Sequence, residues 1–163
     1  MELEAAGRPP DSMLYTPEQR ARRDATRWTV VQGILAPLQF LAFGTSLLLI
    51  LRFLATGEGA GAAAVSVLVK TSLLYAIMVT GACWEKAVFG RWLFASAFFW
   101  EDVVSMGVIA LHTLYVALWW SHAPLATQFT VALLAYLSYV VNAGQFLYKF
   151  SLARRGAGRG VAA

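Results

Sequence analysis

Apolar residues run almost unbroken through four stretches of this chain, about Trp28–Leu54, Ala63–Trp84, Phe98–Trp120 and Leu125–Tyr148. Each is close to the roughly 20 residues that a helix needs to cross a bilayer. The breaks between them differ. Thr56–Gly61 is a short glycine-rich turn, Glu85–Ala97 is longer and carries Lys86 and Arg91, and Ser121–Pro124 is a tight turn. The pattern predicts an all-α polytopic membrane protein with four transmembrane helices packed in a bundle, the membrane domain covering residues 28–148. Ahead of it, Thr16 is placed to cap a helix, with Pro17 at its first position and Gln19 to complete a capping box. Residues 15–27 therefore predict a basic helix at the membrane surface. Residues 1–14, with Gly7, Pro9 and Pro10, predict a disordered arm, and residues 149–163 a basic tail. Residues 1–27 are polar and helix-prone, which does not match a cleavable signal peptide.

Composition agrees with the pattern. The chain is 59% hydrophobic and 13% charged, where soluble domains carry about 25% charged residues. The thirteen Lys and Arg residues crowd the two ends, and placing both termini in the cytoplasm puts eleven of them inside. The positive-inside rule thus predicts cytoplasmic termini, and the same distribution gives no reason to expect nucleic acid as a partner. All six Trp residues fall near span ends, as in an interfacial aromatic belt. Cys83, the single cysteine, rules out an intrachain disulfide.

Polar residues inside the spans change the picture from a generic membrane protein to one that does something. Glu101 and Asp102 open the third run, and His112 lies about halfway along it. Ionisable groups at bilayer depth are rare and usually functional. At about 100° per residue, Glu101 and His112 point within roughly 20° of each other, with Ser105 and Tyr115 near the same line, while Asp102 points about 80° away from His112. The fourth run carries Ser138, Asn142, Gln145 and Lys149 at helical spacing, the first Gln32, Gln39 and Ser46, and the second Lys70, Gly81 and Glu85. Such stripes turn inward, away from lipid.

Each of these residues also has a structural reading. The two acids complement the dipole of the helix they begin. His112 bonds Asn142 or Gln145 as a satisfied core histidine, and Asn142 and Gln145 serve as interhelical glue. Lys70 snorkels outward. Pro37 kinks the first helix and frees a carbonyl that needs a partner. Haem and zinc are not expected, since a second membrane-embedded histidine is lacking. Neither a nucleotide loop nor a dinucleotide fingerprint is present. Any catalysis is acid–base work by carboxylates, histidine and tyrosine, with no cofactor of the protein's own.

Several segments together resemble one family. These are Leu14-Tyr-Thr-Pro-Glu-Gln-Arg-Ala-Arg-Arg-Asp-Ala-Thr-Arg-Trp28, Gln32-Gly-Ile-Leu-Ala-Pro-Leu-Gln-Phe40, Trp84-Glu-Lys-Ala-Val-Phe-Gly-Arg-Trp-Leu-Phe94, Phe98-Phe-Trp-Glu-Asp102, Ala110-Leu-His-Thr113 and Val141-Asn-Ala-Gly-Gln-Phe146. From about residue 14 to 150 the chain resembles the 3-vinyl bacteriochlorophyllide hydratases. The resemblance implies water addition to the ring-A vinyl group of chlorophyllide or bacteriochlorophyllide, giving a 1-hydroxyethyl group. The partner is then a magnesium tetrapyrrole, and the magnesium belongs to that substrate. Hydration begins with protonation of the terminal vinyl carbon, followed by water addition to the cation, so the site needs an acid, a placed water and a proton acceptor. Clustering and partial burial favour keeping a proton on one carboxyl, while the helix dipole and Lys86 favour charge. The expected assignment is Glu101 as acid, Glu85 or Asp102 placing water, and His112 as an axial contact to the magnesium or a second acid–base group. Asn142 and Gln145 are expected to line the substrate site, with Arg91, Lys86 or Arg27 on the propionate. Four helices are few to enclose so large a ring, which points to self-association or contact with other pathway enzymes. The rival reading is a non-catalytic pigment-binding or assembly protein.

Overall fold

The computed structural model describes residues 14–159, so the expected amino-terminal arm lies outside the described residues apart from Leu14. Five helices follow one another: α1 (Pro17–Ala25), α2 (Arg27–Thr56), α3 (Ala60–Phe89), α4 (Phe99–Trp120) and α5 (Leu125–Arg159). The described residues contain no strand. Helices α2 to α5 each contain a stretch long and apolar enough to cross a membrane. Side chains such as Leu41, Leu48, Val79, Leu137 and Leu147 face outward. A surface of that kind is stable against lipid and not against water.

The elements form for local reasons. Thr16 Oγ1 accepts the Gln19 N–H at 3.2 Å and Gln19 Oε1 accepts the Thr16 N–H at 2.9 Å, completing the capping box that starts α1. Helix α2 runs unbroken through Pro37. It stops at Gly57, whose φ of 74° is open to glycine without steric cost. Helix α3 stops in the same way at Gly90, φ 79°. That cap lies five residues beyond Glu85, so Glu85 and Lys86 belong to the last turns of α3 and not to the connection, which shrinks to Gly90–Phe98. Helix α5 continues past Tyr148 to Arg159.

Packing is strongest between α2 and α3 and between α4 and α5, two antiparallel hairpins. In a membrane the hairpins gain from close side-chain packing and from interhelical hydrogen bonds. Ile50, Val67, Tyr115, Phe129 and Tyr136 form one buried cluster and Leu74, Val108 and Tyr139 another. Tyr136 Oη donates to Ser46 Oγ at 2.6 Å, Ser46 and Ser66 share a hydrogen at 2.7 Å, and Tyr115 Oη donates to the Ala64 carbonyl at 3.3 Å. These bonds tie α5 to α2, α2 to α3, and α4 to α3.

At the opposite end, Phe98 lies at the centre of an aromatic cluster. Its ring is 6.4 Å from Tyr15, 5.7 Å from Trp84, 5.8 Å from Phe89 and 5.8 Å from Phe146. Tyr15 stacks on Phe89, and Arg23 lies over its outer face at 5.0 Å. Burial pushes the Tyr15 phenol up to about 12 against the opposing pull of Arg23, so it stays neutral across the physiological range. The cluster docks the segment before α1 onto the α3–α4 connection. Phe98→Ala should cost about 3 kcal/mol and show as a lower thermal midpoint in detergent micelles with faster hydrogen exchange in α1.

Candidate functional site

The charged residues of the interior gather at two depths. The first is the α3–α4 loop end. Glu85 comes from the last turns of α3, Glu101 and Asp102 from the first turn of α4, and Lys149 from α5. All three acids are buried. Lys149 Nζ bonds Glu101 Oε2 at 2.6 Å and also donates to the Ala97 carbonyl. Glu101 is 8% exposed in this pair and Lys149 26%. Asp102, on another face of α4, turns toward the loop, where its Oδ2 accepts the Phe94 N–H at 2.8 Å. Glu85 Oε2 accepts the Ala95 N–H at 3.1 Å. Glu85 and Asp102 thus accept from the N–H groups of consecutive residues, Ala95 and Phe94, which brings both carboxyls against the same short stretch of loop.

These bonds hold a strained loop. Phe94 has φ 59°, a conformation that few residues with a side chain adopt. The carboxylate on its N–H over-determines it. Two of the three acids therefore fix the loop backbone, and the third fixes α5. Next to them, Asn142 Nδ2 donates to the Glu101 carbonyl at 2.9 Å and Asn142 Oδ1 accepts from Ser105 at 3.1 Å. Lys86 Nζ is exposed and donates to the Gly90 carbonyl at 2.9 Å, capping its own helix. Arg91 is exposed, and Gln145 Oε1 is buried without a partner.

The second group lies in the middle of the spans. His112 is fully buried, and its Nδ1 is 2.8 Å from the Val108 carbonyl. A carbonyl only accepts, so Nδ1 carries the proton and Nε2 carries the lone pair. Nε2 has no partner. Asn142 is not that partner, because it lies about a level closer to the loop end and is occupied there. Lys70 does not snorkel to the surface. It sits on the side of α3 that faces α2 and α5, fully buried, with Nζ donating to Gln39 Oε1 and lying 3.7 Å from the centre of the Tyr139 ring. Its neighbour Val69 faces outward instead. Gln39 Nε2 is the second buried nitrogen without a partner in this region, and it is a donor.

Sequence reasoning brought Glu101, Ser105, His112 and Tyr115 onto one buried face, and all four are buried. It left Lys70 open between an inward stripe and the surface, and the structure places it in the interior; it missed Tyr136 and Tyr139 around it. The available signal was the charge itself, a lysine within a span. The described residues contain no group of three His, Cys, Asp or Glu side chains placed to hold a metal.

The family model for 2-vinyl bacteriochlorophyllide hydratase (BCHF) matches residues 15–152. The chain belongs to this family. The hydratase is 66% identical over 145 residues to the 2-vinyl bacteriochlorophyllide hydratase of Cereibacter sphaeroides, covering 89% of this chain and 91% of that one. It is 64% identical over 146 residues to the protein of the same name from Rhodobacter capsulatus, covering 90% and 85%. No solved structure matches. Membership decides between enzyme and pigment carrier in favour of a hydro-lyase.

The hydratase buries its Glu101–Lys149 pair across two helices, and removing one partner strands the other in a dry site. A double-mutant cycle of Glu101→Gln and Lys149→Met, read by thermal unfolding in micelles, should give a coupling of roughly 1–3 kcal/mol.

Proposed function

We propose that this enzyme adds water to the ring-A vinyl group of chlorophyllide a or 3-vinyl bacteriochlorophyllide a in bacteriochlorophyll biosynthesis, giving a 1-hydroxyethyl group. The relatives' names and the resemblance in the sequence number the same vinyl group by two porphyrin conventions. The four spans form a bundle in the cytoplasmic or intracytoplasmic photosynthetic membrane with both termini in the cytoplasm. The basic residues flanking Trp28 and Tyr148 support that orientation. The α3–α4 loop end is then the cytoplasmic rim. No cofactor of the protein's own is needed, since the substrate brings its magnesium. A second copy or a pathway enzyme covers the ring edge that four helices leave open.

One observation carries the mechanism: three buried carboxyls share the rim with a single partly buried ammonium. Lys149 pairs with Glu101, which the sequence favoured as the acid, and occupies it in a contact between α4 and α5. Glu85 and Asp102 are left facing each other. Two carboxyls at one dry site do not both ionise, so the pair holds one proton. That proton goes to the terminal vinyl carbon, and the positive charge on the inner carbon is spread into the macrocycle. Water adds to the inner carbon, and its surplus proton returns to the carboxylate pair. The net change is one water added, with the pair restored. Glu101 and Asn142 position the α4 end against α5. His112 Nε2, buried without a partner, would supply a lone pair to the substrate magnesium. The exposed charges of Lys86 and Arg91 draw the anionic tetrapyrrole to this face.

Membranes containing only this chain, fed vinyl chlorophyllide, should yield a product heavier by one water. Glu85→Gln and Asp102→Asn should each lower kcat by roughly 10²–10⁴-fold, while Glu101→Gln stays within about tenfold of wild type after correction for folded protein. Wild-type turnover in both Glu85→Gln and Asp102→Asn would remove the acid from this pair.

A further inference from the structure

Lys70 is a fully buried amine with no carboxylate partner. The salt bridges among the described residues are Arg23–Asp24 and Lys149–Glu101, and neither includes it. Buried charges are ordinarily paired, because an isolated one costs far more than a lone hydrogen bond recovers. An ammonium has three donors. One goes to Gln39 Oε1, and the Tyr139 face receives the group without accepting a conventional hydrogen bond. Beside it, Gln39 presents an unpartnered Nε2. The two residues thus offer N–H donors from adjacent atoms and one positive charge. That set fits the two oxygens of a carboxylate.

Depth supports the same match. Fifteen residues of α3 separate Lys70 from Glu85, and ten of α4 separate His112 from Asp102. At about 1.5 Å per residue, His112 lies roughly 15 Å from the carboxyl pair and Lys70 roughly 22 Å. These are backbone separations; at the side chains the Lys70 amine rests on Tyr139 and the His112 ring packs near Tyr136, so amine and imidazole lie about one turn of α5 apart, both beyond the carboxyl pair. A chlorophyllide carries the vinyl at one edge, the magnesium at the centre and the propionate at another edge, so its magnesium and carboxylate can meet neighbouring groups while the vinyl reaches toward the carboxyl pair.

We propose that Lys70 and Gln39 hold the propionate carboxylate of the bound tetrapyrrole, fixing the ring so that its vinyl edge is directed to Glu85 and Asp102. This rests on the tetrapyrrole reading above and adds a positioning site to it. Surface cations then capture the substrate, and Lys70 orients it.

The experiment is an absorbance titration of the full chain in lipid nanodiscs with vinyl chlorophyllide as free acid and as its propionate methyl ester. Wild type should bind the acid about tenfold or more tighter, the worth of one charge-assisted hydrogen bond. Lys70→Met should bring the two ligands within about twofold. Gln39→Glu, which supplies Lys70 with a carboxylate from the chain, should do the same, and it carries the test alone if Lys70→Met does not fold. Equal binding of acid and ester by wild type overturns the proposal. So does an unchanged preference in the folded variants, or a preference lost only in Lys86→Gln with Arg91→Gln. Hydration by wild type is read separately. Acid preference without water addition sinks the hydration reading and leaves the anchor, and water addition without acid preference does the reverse.

Discussion

A polar group facing hydrocarbon has no water to bond, so Lys70, Glu85, Glu101, Asp102 and His112 persist in this chain only because helices close around them. That constraint organises the molecule. Polar bonds fix the packing register: Tyr136 to Ser46 and Tyr115 to Ala64 join the α2–α3 hairpin to the α4–α5 hairpin, and Asn142 and Lys149 to Glu101 hold α5 against α4. Each bond links two helices and is costly to break in a dry interior.

The two interior groups differ in how completely they are satisfied. At the loop end, each acid has a donor from the backbone or from Lys149, and together they hold the strained Phe94 turn. In the middle, two buried nitrogens of opposite sense stay open, a donor on Gln39 and an acceptor on His112. A native interior rarely leaves such atoms unpaired without a reason, and a ligand is the simplest one. The satisfied acids at the loop end and the unpartnered nitrogens in the middle are the two regions that the proposed mechanism joins. The aromatic cluster around Phe98 joins the parts, because it packs α1's entry, the loop and α5 against the acids.

The four spans were legible because membrane crossing imposes length and apolarity directly on the sequence. Their bounds were less so. Glu85 read as the end of its helix, where the second run gives way to the connection, and the stop at Gly90 lies five residues further on. The stripe from Glu101 to Tyr115 followed from helical periodicity alone. What periodicity does not contain is the partner across the interface. Lys149 lies 48 residues from Glu101, and Lys70 lies 31 from Gln39. Whether Lys70 points to lipid or inward depends on where α2 and α5 pack, which is a tertiary fact. Asp102 followed its phase away from His112, but its target was the Phe94 N–H, held in a backbone shape that the sequence does not announce.

The proposed mechanism requires the tetrapyrrole to lie along the bundle in one direction. A cryo-electron microscopy structure of the enzyme with bound vinyl chlorophyllide measures it directly. The predicted result has the magnesium opposite His112 Nε2 and the vinyl group beside Glu85 and Asp102. A ring bound with its vinyl edge turned toward Lys70, or lying outside the four helices, would contradict it.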